Sequence, residues 1–134
     1  MKATPADIAA ICGILPEVQF EDGPHPAWKV PTGPRAKTFI NYREPRKDAI
    51  DPATGERYVD LLVIHVPDEN AKAALVRDTR LPFFVTEHFD GYNAVLIQES
   101  RIGELDRDFL VEVITEAWAC RAPRRLAAGY FSGR

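Results

Sequence analysis

Between Glu17 and His65 the chain breaks into short runs rich in β-branched and aromatic residues, "VQF", "AWKV", "KTFINY" and "YVDLLVIHV". Turns bearing Pro or Gly separate them at 23–26, 31–34 and 51–55. Runs of this length, punctuated in this way, predict an antiparallel meander of three or four strands. The polar stretch "REPRKDAIDPATGER" within this region is rich in turn residues and reads as a long hairpin connection or loop.

Helical patterns flank and interrupt the meander. Thr4 is placed to cap a first helix, with Pro5 at its first position and Asp7 at the positive end of its dipole. Ile8, Ile11, Cys12 and Leu15 then recur at helical spacing, and Pro16 closes the element. Asp68 is expected to cap a shorter helix over "ENAKAALVRD", with Ala71, Ala74 and Leu75 on its apolar stripe. "FFVTEHFDGYNAVLI" returns to strand character, and Asp90-Gly91 signals a tight hairpin between two strands. Asp106 caps a last long helix from about Arg107 to Arg121, with Phe109, Leu110, Val113, Ile114, Ala117 and Trp118 on one side. Pro123 ends it, and "RRLAAGYF" adds a last helical turn or two. The order is helix, three or four strands, helix, two strands, helix. It predicts an α+β two-layer sandwich, with the helices on one face of an antiparallel sheet, in a single domain over residues 1–134.

A chain of 134 residues can bury one core without disulfides or metals. Its two cysteines, Cys12 and Cys120, fall in helical patterns and are expected as reduced packing residues. No run of apolar residues reaches membrane-spanning length, and "MKATPADIAA" lacks the apolar core of a signal peptide, so no membrane partner and a cytoplasmic location are expected.

Five pieces in order carry a resemblance: "CGILPEV" after the capped first helix, "HPAWKV", "KTFINY", "FFVTEHFDGYNAVLI" and "LVEVITEAWACRAPRRL". Together they resemble the MmcQ/YjbR family of small bacterial proteins over nearly the whole chain. The resemblance implies a secretion-chaperone-like α+β sandwich. It also implies a DNA-binding role by analogy with a double-wing arrangement of strands. The chain departs from shorter members by the insert around 44–57 and by Phe89-Asp90-Gly91-Tyr92 where many relatives place a Trp near the His.

Motifs for catalysis are missing. Neither G-x-S-x-G nor a Cys/His signature is present, and the Gly- and Pro-bearing turns lack phosphate-loop spacing, so neither an enzyme nor a cofactor is expected. His25, His65 and His88 lack the spacing of metal sites, and His65 reads as a strand-end imidazole with a backbone partner. The charge pattern says more. The net charge is −3, yet residues 28–47 hold Lys29, Arg35, Lys37, Arg43, Arg46 and Lys47 against Glu44 alone, and residues 121–134 hold Arg121, Arg124, Arg125 and Arg134 with no acid. A non-catalytic binding module that meets DNA phosphates through these cations is the first expectation. The alternative is a protein-interaction or small-ligand module. It uses His25, Trp28, His88 and Tyr92, because the family resemblance sets both histidines at turns flanking strands.

Overall fold

The computed structural model describes residues 1–133. Helix α1 (Pro5–Ile14) begins where the sequence places it, and Thr4 and Asp7 form a capping box at its start. Asp7 Oδ2 accepts from the Thr4 N–H at 2.8 Å, so the acidic side chain reaches back to the residue that was expected to cap. Strands β1 (Gln19–Glu21), β2 (Ala27–Thr32), β3 (Arg35–Arg43), β4 (Leu61–His65) and β5 (Ala94–Gln98) form one antiparallel sheet in the order β1-β2-β3-β4-β5. Helix α2 (Glu69–Val76) lies between β4 and β5, and α3 (Arg107–Arg121) and α4 (Arg124–Ser132) close the described chain. Asp68 caps α2 through Ala71 N at 2.8 Å, and Asp106 caps α3 through Asp108 N at 3.0 Å.

The α+β sandwich is the expected one, with a packing detail that alternation alone does not predict. Trp28 pairs with Ile40 and Lys29 with Thr38, which leaves Phe39 unpaired in a bulge. A bulge changes which way successive side chains face. Phe39 and Ile40, neighbours in sequence, are consequently both buried in the core that the sheet forms with α1 and α3. The opposite face of β4 and β5 is covered as well. Leu61, Val63, Ala94 and Leu96 pack there against Ala49 and Tyr58 of the long connection and against Phe89. The insert is therefore an ordered cover for the sheet. Its ends are joined by an Ile50–Arg57 bridge, and Gly55 turns it at φ 73°.

Two expectations fail in the segment 83–93. Among the described residues one strand, not two, follows α2, since Phe84 meets Leu96 as an isolated bridge. Asp90-Gly91 makes no tight hairpin: Glu87–Phe89 is a 3₁₀ turn, Asp90 continues with helical dihedrals, and the left-handed glycines are at 23, 33 and 55. Cys12 is fully buried, as expected, but Cys120 is exposed on α3, and both thiols are free.

Candidate functional site

An antiparallel sheet has two ends, and they differ here in charge. At one end β2 finishes, β3 starts, β4 finishes and β5 starts, so the β2–β3 turn, His65 and Ala94 lie together. Arg35 and Lys37 belong to this end. They pair with Thr32 and Val30, and Val30 is in the helix-side core, so both cations sit on the helical face of the hairpin. Arg121, at the last turn of α3, donates from Nε to Thr38 O of β3 at 3.0 Å. Arg125 lines a cleft with Pro31 of β2 and Tyr130 of α4, and Arg124 is its neighbour at the start of the same helix. Five cations from two distant segments thus gather at one end. None of Arg35, Lys37, Arg121, Arg124 and Arg125 is ion-paired among the described residues.

The other expected cations do not join them. Lys29 lies on the opposite sheet face, paired with Glu21 at 3.0 Å. Arg43 ends β3, roughly 26 Å along the strand from Arg35. Its guanidinium stacks 5.0 Å from the Phe89 ring centroid. Arg46 pairs with Asp48 at 3.6 Å, and Lys47 is exposed beside it in the insert. The segment 28–47 is therefore not one basic surface, because a nine-residue strand carries its two halves to opposite ends of the sheet. Arg134 lies outside the described residues.

The His25, Trp28, His88 and Tyr92 grouping also comes apart. His25 lines a cavity at the far end with Tyr42, Glu44, Asp60 and Glu99, and its Nε2 is 3.9 Å from Glu44 Oε2. Three carboxylates make that cavity unfavourable to an anion. Trp28 is buried in the core, between Phe20 at 5.1 Å and Tyr42 at 6.2 Å. Only His88 and Tyr92 remain together, with ring centroids 6.0 Å apart.

Tyr92 instead belongs to a cavity at the basic end. It has a volume of about 370 Å³ and is lined by His65, Pro67, Gly91, Tyr92, Asn93, Cys120 and Arg121. This is within the size range of small-ligand clefts. No local pattern groups His65, Asn93 and Cys120, since they come from a strand end, a loop and a helix. One wall is fastened from beneath by Lys72 of α2, which is buried and donates from Nζ to the carbonyls of Phe89, Asp90 and Tyr92. A lysine beside the Ala71/Ala74 stripe reads in sequence as a solvated residue, so this role too went unsignalled.

The His65 imidazole makes no hydrogen bond among the described residues, so the backbone partner expected for it is not there. Burial pushes its pKa down from 6.5 to about 4, and the nearby Arg121 adds to the effect. The imidazole is neutral at neutral pH. Between those two values the unfolded chain binds a proton that the folded one refuses, so stability is full above pH 6.5 and falls as pH drops toward 4. The fall is at most about 1.4 kcal/mol per pH unit. His65→Gln is expected to flatten that part of the stability profile in urea titrations at pH 4.5, 5.5 and 6.5. A variant that keeps the parent's slope would place the titration elsewhere.

Sulfur chemistry is not prepared at this site: although Cys120 as a residue is exposed, its Sγ is part-buried over Ala117 O, desolvation raises the thiol pKa to about 11, and a thiol in that state is a poor nucleophile. Among the described residues no group of three His, Cys, Asp or Glu side chains is arranged to hold a metal ion. No helix among them is long and apolar enough to cross a membrane.

No protein-family model matches the chain. It is 36% identical over 139 aligned residues to the uncharacterized protein Rv2570 of Mycobacterium tuberculosis, covering 97% of each chain. The uncharacterized protein Mb2600 of Mycobacterium bovis matches to the same extent. The crystal structure of the Deinococcus radiodurans protein DR2400, a DUF419 domain, superposes with a TM-score of 0.58 at 15% identity, over 89% of this chain and 78% of that one. Likeness at that identity is one of fold, and DUF419 is related to the MmcQ/YjbR fold.

Proposed function

We propose a function for a chain that belongs to the family of the mycobacterial proteins Rv2570 and Mb2600: it is a non-catalytic, MmcQ/YjbR-like cytoplasmic binding module that holds nucleic acid by its phosphates. What supports the reading is the gathering of Arg35, Lys37, Arg121, Arg124 and Arg125 at one end of the sheet without ion-paired carboxylates among the described residues. A guanidinium or ammonium that is not neutralised internally is available to displace the cations condensed on a polynucleotide. The acidic remainder of the molecule opposes the same approach, since the net charge is −3, and it limits affinity to the range of non-specific binding, about 10⁻⁴ to 10⁻⁶ M near physiological salt. Contacts to phosphates alone carry no base preference.

Salt tests this directly. With all five cations engaged, log K on a duplex should fall against log salt with a slope of about −4.5, which is −0.9 for each phosphate neutralised. Replacing Arg124 and Arg125 together by Ala should flatten that slope by about 2 and leave the melting temperature unchanged. Lys47→Ala, exposed at the far end, should leave the slope as it was. A salt-independent affinity, or no binding to any polynucleotide at low salt, defeats the proposal.

A further inference from the structure

The basic end carries a feature that a phosphate-only surface does not need. Tyr92 is 58% exposed, and its ring is backed by His88 and Phe89, each with its centroid 6.0 Å away. The main chain beneath it is fixed from three directions. Lys72 holds the carbonyls of Phe89, Asp90 and Tyr92; Ala94 N donates to Tyr92 O at 2.9 Å; Val66 N donates to Asn93 O at 3.0 Å. A solvent-facing aromatic ring on an immobilised turn loses little freedom when something stacks on it.

The cavity beside the ring offers polar groups of the matching kind. The Asn93 side-chain amide has no hydrogen-bond partner among the described residues and can both donate and accept. The His65 imidazole is neutral, so it also presents one donor and one acceptor. Arg121 lines the same cavity and spends its Nε on Thr38 O, and the terminal nitrogens of its guanidinium have no hydrogen-bond partner among the described residues. A flat π-face, two neutral amphoteric groups and one fixed cation are the complement of an unpaired nucleobase with its phosphate.

We infer that the cavity between Tyr92 and Arg121 takes one unpaired base of a single-stranded nucleic acid, stacked on the Tyr92 ring with the adjoining phosphate on Arg121. This deepens the phosphate-binding reading and rests on it, since Arg35, Lys37, Arg124 and Arg125 carry the strand beyond the cavity. A duplex keeps its bases stacked on each other and presents none to Tyr92, so the preferred polymer is single-stranded.

Fluorescence anisotropy at low salt would compare a labelled oligo(dT) with a hairpin duplex of equal phosphate count, both against the full chain. The expected result is tighter binding of oligo(dT). Tyr92→Ala should weaken it about five- to a hundredfold, the loss of one stacked base, and should leave duplex affinity within twofold. Tyr92→Phe keeps a stacking face and should retain most of the affinity. Exposure of the side chain makes these variants safe for folding, and their melting curves verify it. If Tyr92→Ala binds oligo(dT) as the parent does while the Arg124/Arg125 double variant loses affinity for both polymers, the base site is wrong and the phosphate reading stands. If neither polymer binds the parent chain, both fall together.

Discussion

Trp118→Ala is expected to lower the unfolding free energy by about 3–5 kcal/mol, as large aromatic-to-alanine changes in a core do. Trp118 has no exposed surface and sits in the middle of the α3 stripe with Leu110, Val113, Ile114 and Ala117. Its indole also joins three elements. Nε1 donates to Pro16 O at 3.1 Å, just after α1, and the ring meets Tyr130 of α4 edge-on at 5.2 Å. Truncation would therefore leave a cavity, strand a carbonyl and loosen the seat of α4 at once. Trp118→Phe separates these contributions, because it keeps an aromatic ring and removes only the indole donor and part of the volume. It should cost distinctly less, about 1–2 kcal/mol. Urea unfolding of the two variants checks the ranking. A Trp118→Ala protein that unfolds at the parent's midpoint would show that the α3 stripe does not form the centre of the core. Because α4 carries Arg124 and Arg125, the same variant should also weaken polynucleotide binding under conditions where it is still folded.

The helices and most of the sheet were legible because their signals were local. Asp68 and Asp106 announce helix starts by a chemistry that acts over two or three residues, and the α3 stripe repeats often enough to fix its inner face. What the sequence hid depends on partners far along the chain. Asp90-Gly91 has the composition of a hairpin turn, yet local preference yields to Lys72, eighteen residues before Asp90, which gathers three carbonyls into a different turn. Simple alternation sends the neighbours Phe39 and Ile40 to opposite faces, and the bulge opposite Trp28 and Lys29 lets both reach the core. Charge grouping misled for a related reason. Sequence places Lys29, Arg35, Lys37, Arg43, Arg46 and Lys47 in one run, whereas a strand spreads its residues in space and antiparallel pairing decides which of them meet. Of the binding residues expected, Arg35, Lys37, Arg121, Arg124, Arg125 and Tyr92 come to the same end of the sheet. His65 and Asn93 reach it only through the register of β4 with β5.

Lys72→Met is expected to destabilise the protein by about 2 kcal/mol, although it exchanges a charged side chain for an apolar one of similar length in a buried place. Ordinarily such an exchange is tolerated, since burying an ammonium is costly. Here Lys72 is only 4% exposed and its ammonium donates to three main-chain carbonyls, so its removal takes a donor from each; Phe89 O and Tyr92 O keep the Tyr92 and Ala94 N–H groups, and Asp90 O is left without a partner among the described residues. An unsatisfied buried acceptor costs about 1–3 kcal/mol, and the middle of that range is the expected loss for the one carbonyl left stranded. The location of the loss is as informative as its size. Hydrogen exchange should quicken at the Phe89, Asp90 and Tyr92 amides, which close this turn through Thr86, Glu87 and Phe89 carbonyls, and stay slow in α3. Loosening the turn releases the Tyr92 ring from its fixed position, so oligo(dT) affinity should fall along with it while the salt slope, set by the arginines, stays constant. A Lys72→Met protein that unfolds at the parent's midpoint and protects the turn as before would mean that the three carbonyls are held by something other than this lysine. The ring platform would then owe its rigidity to the β5 contacts alone.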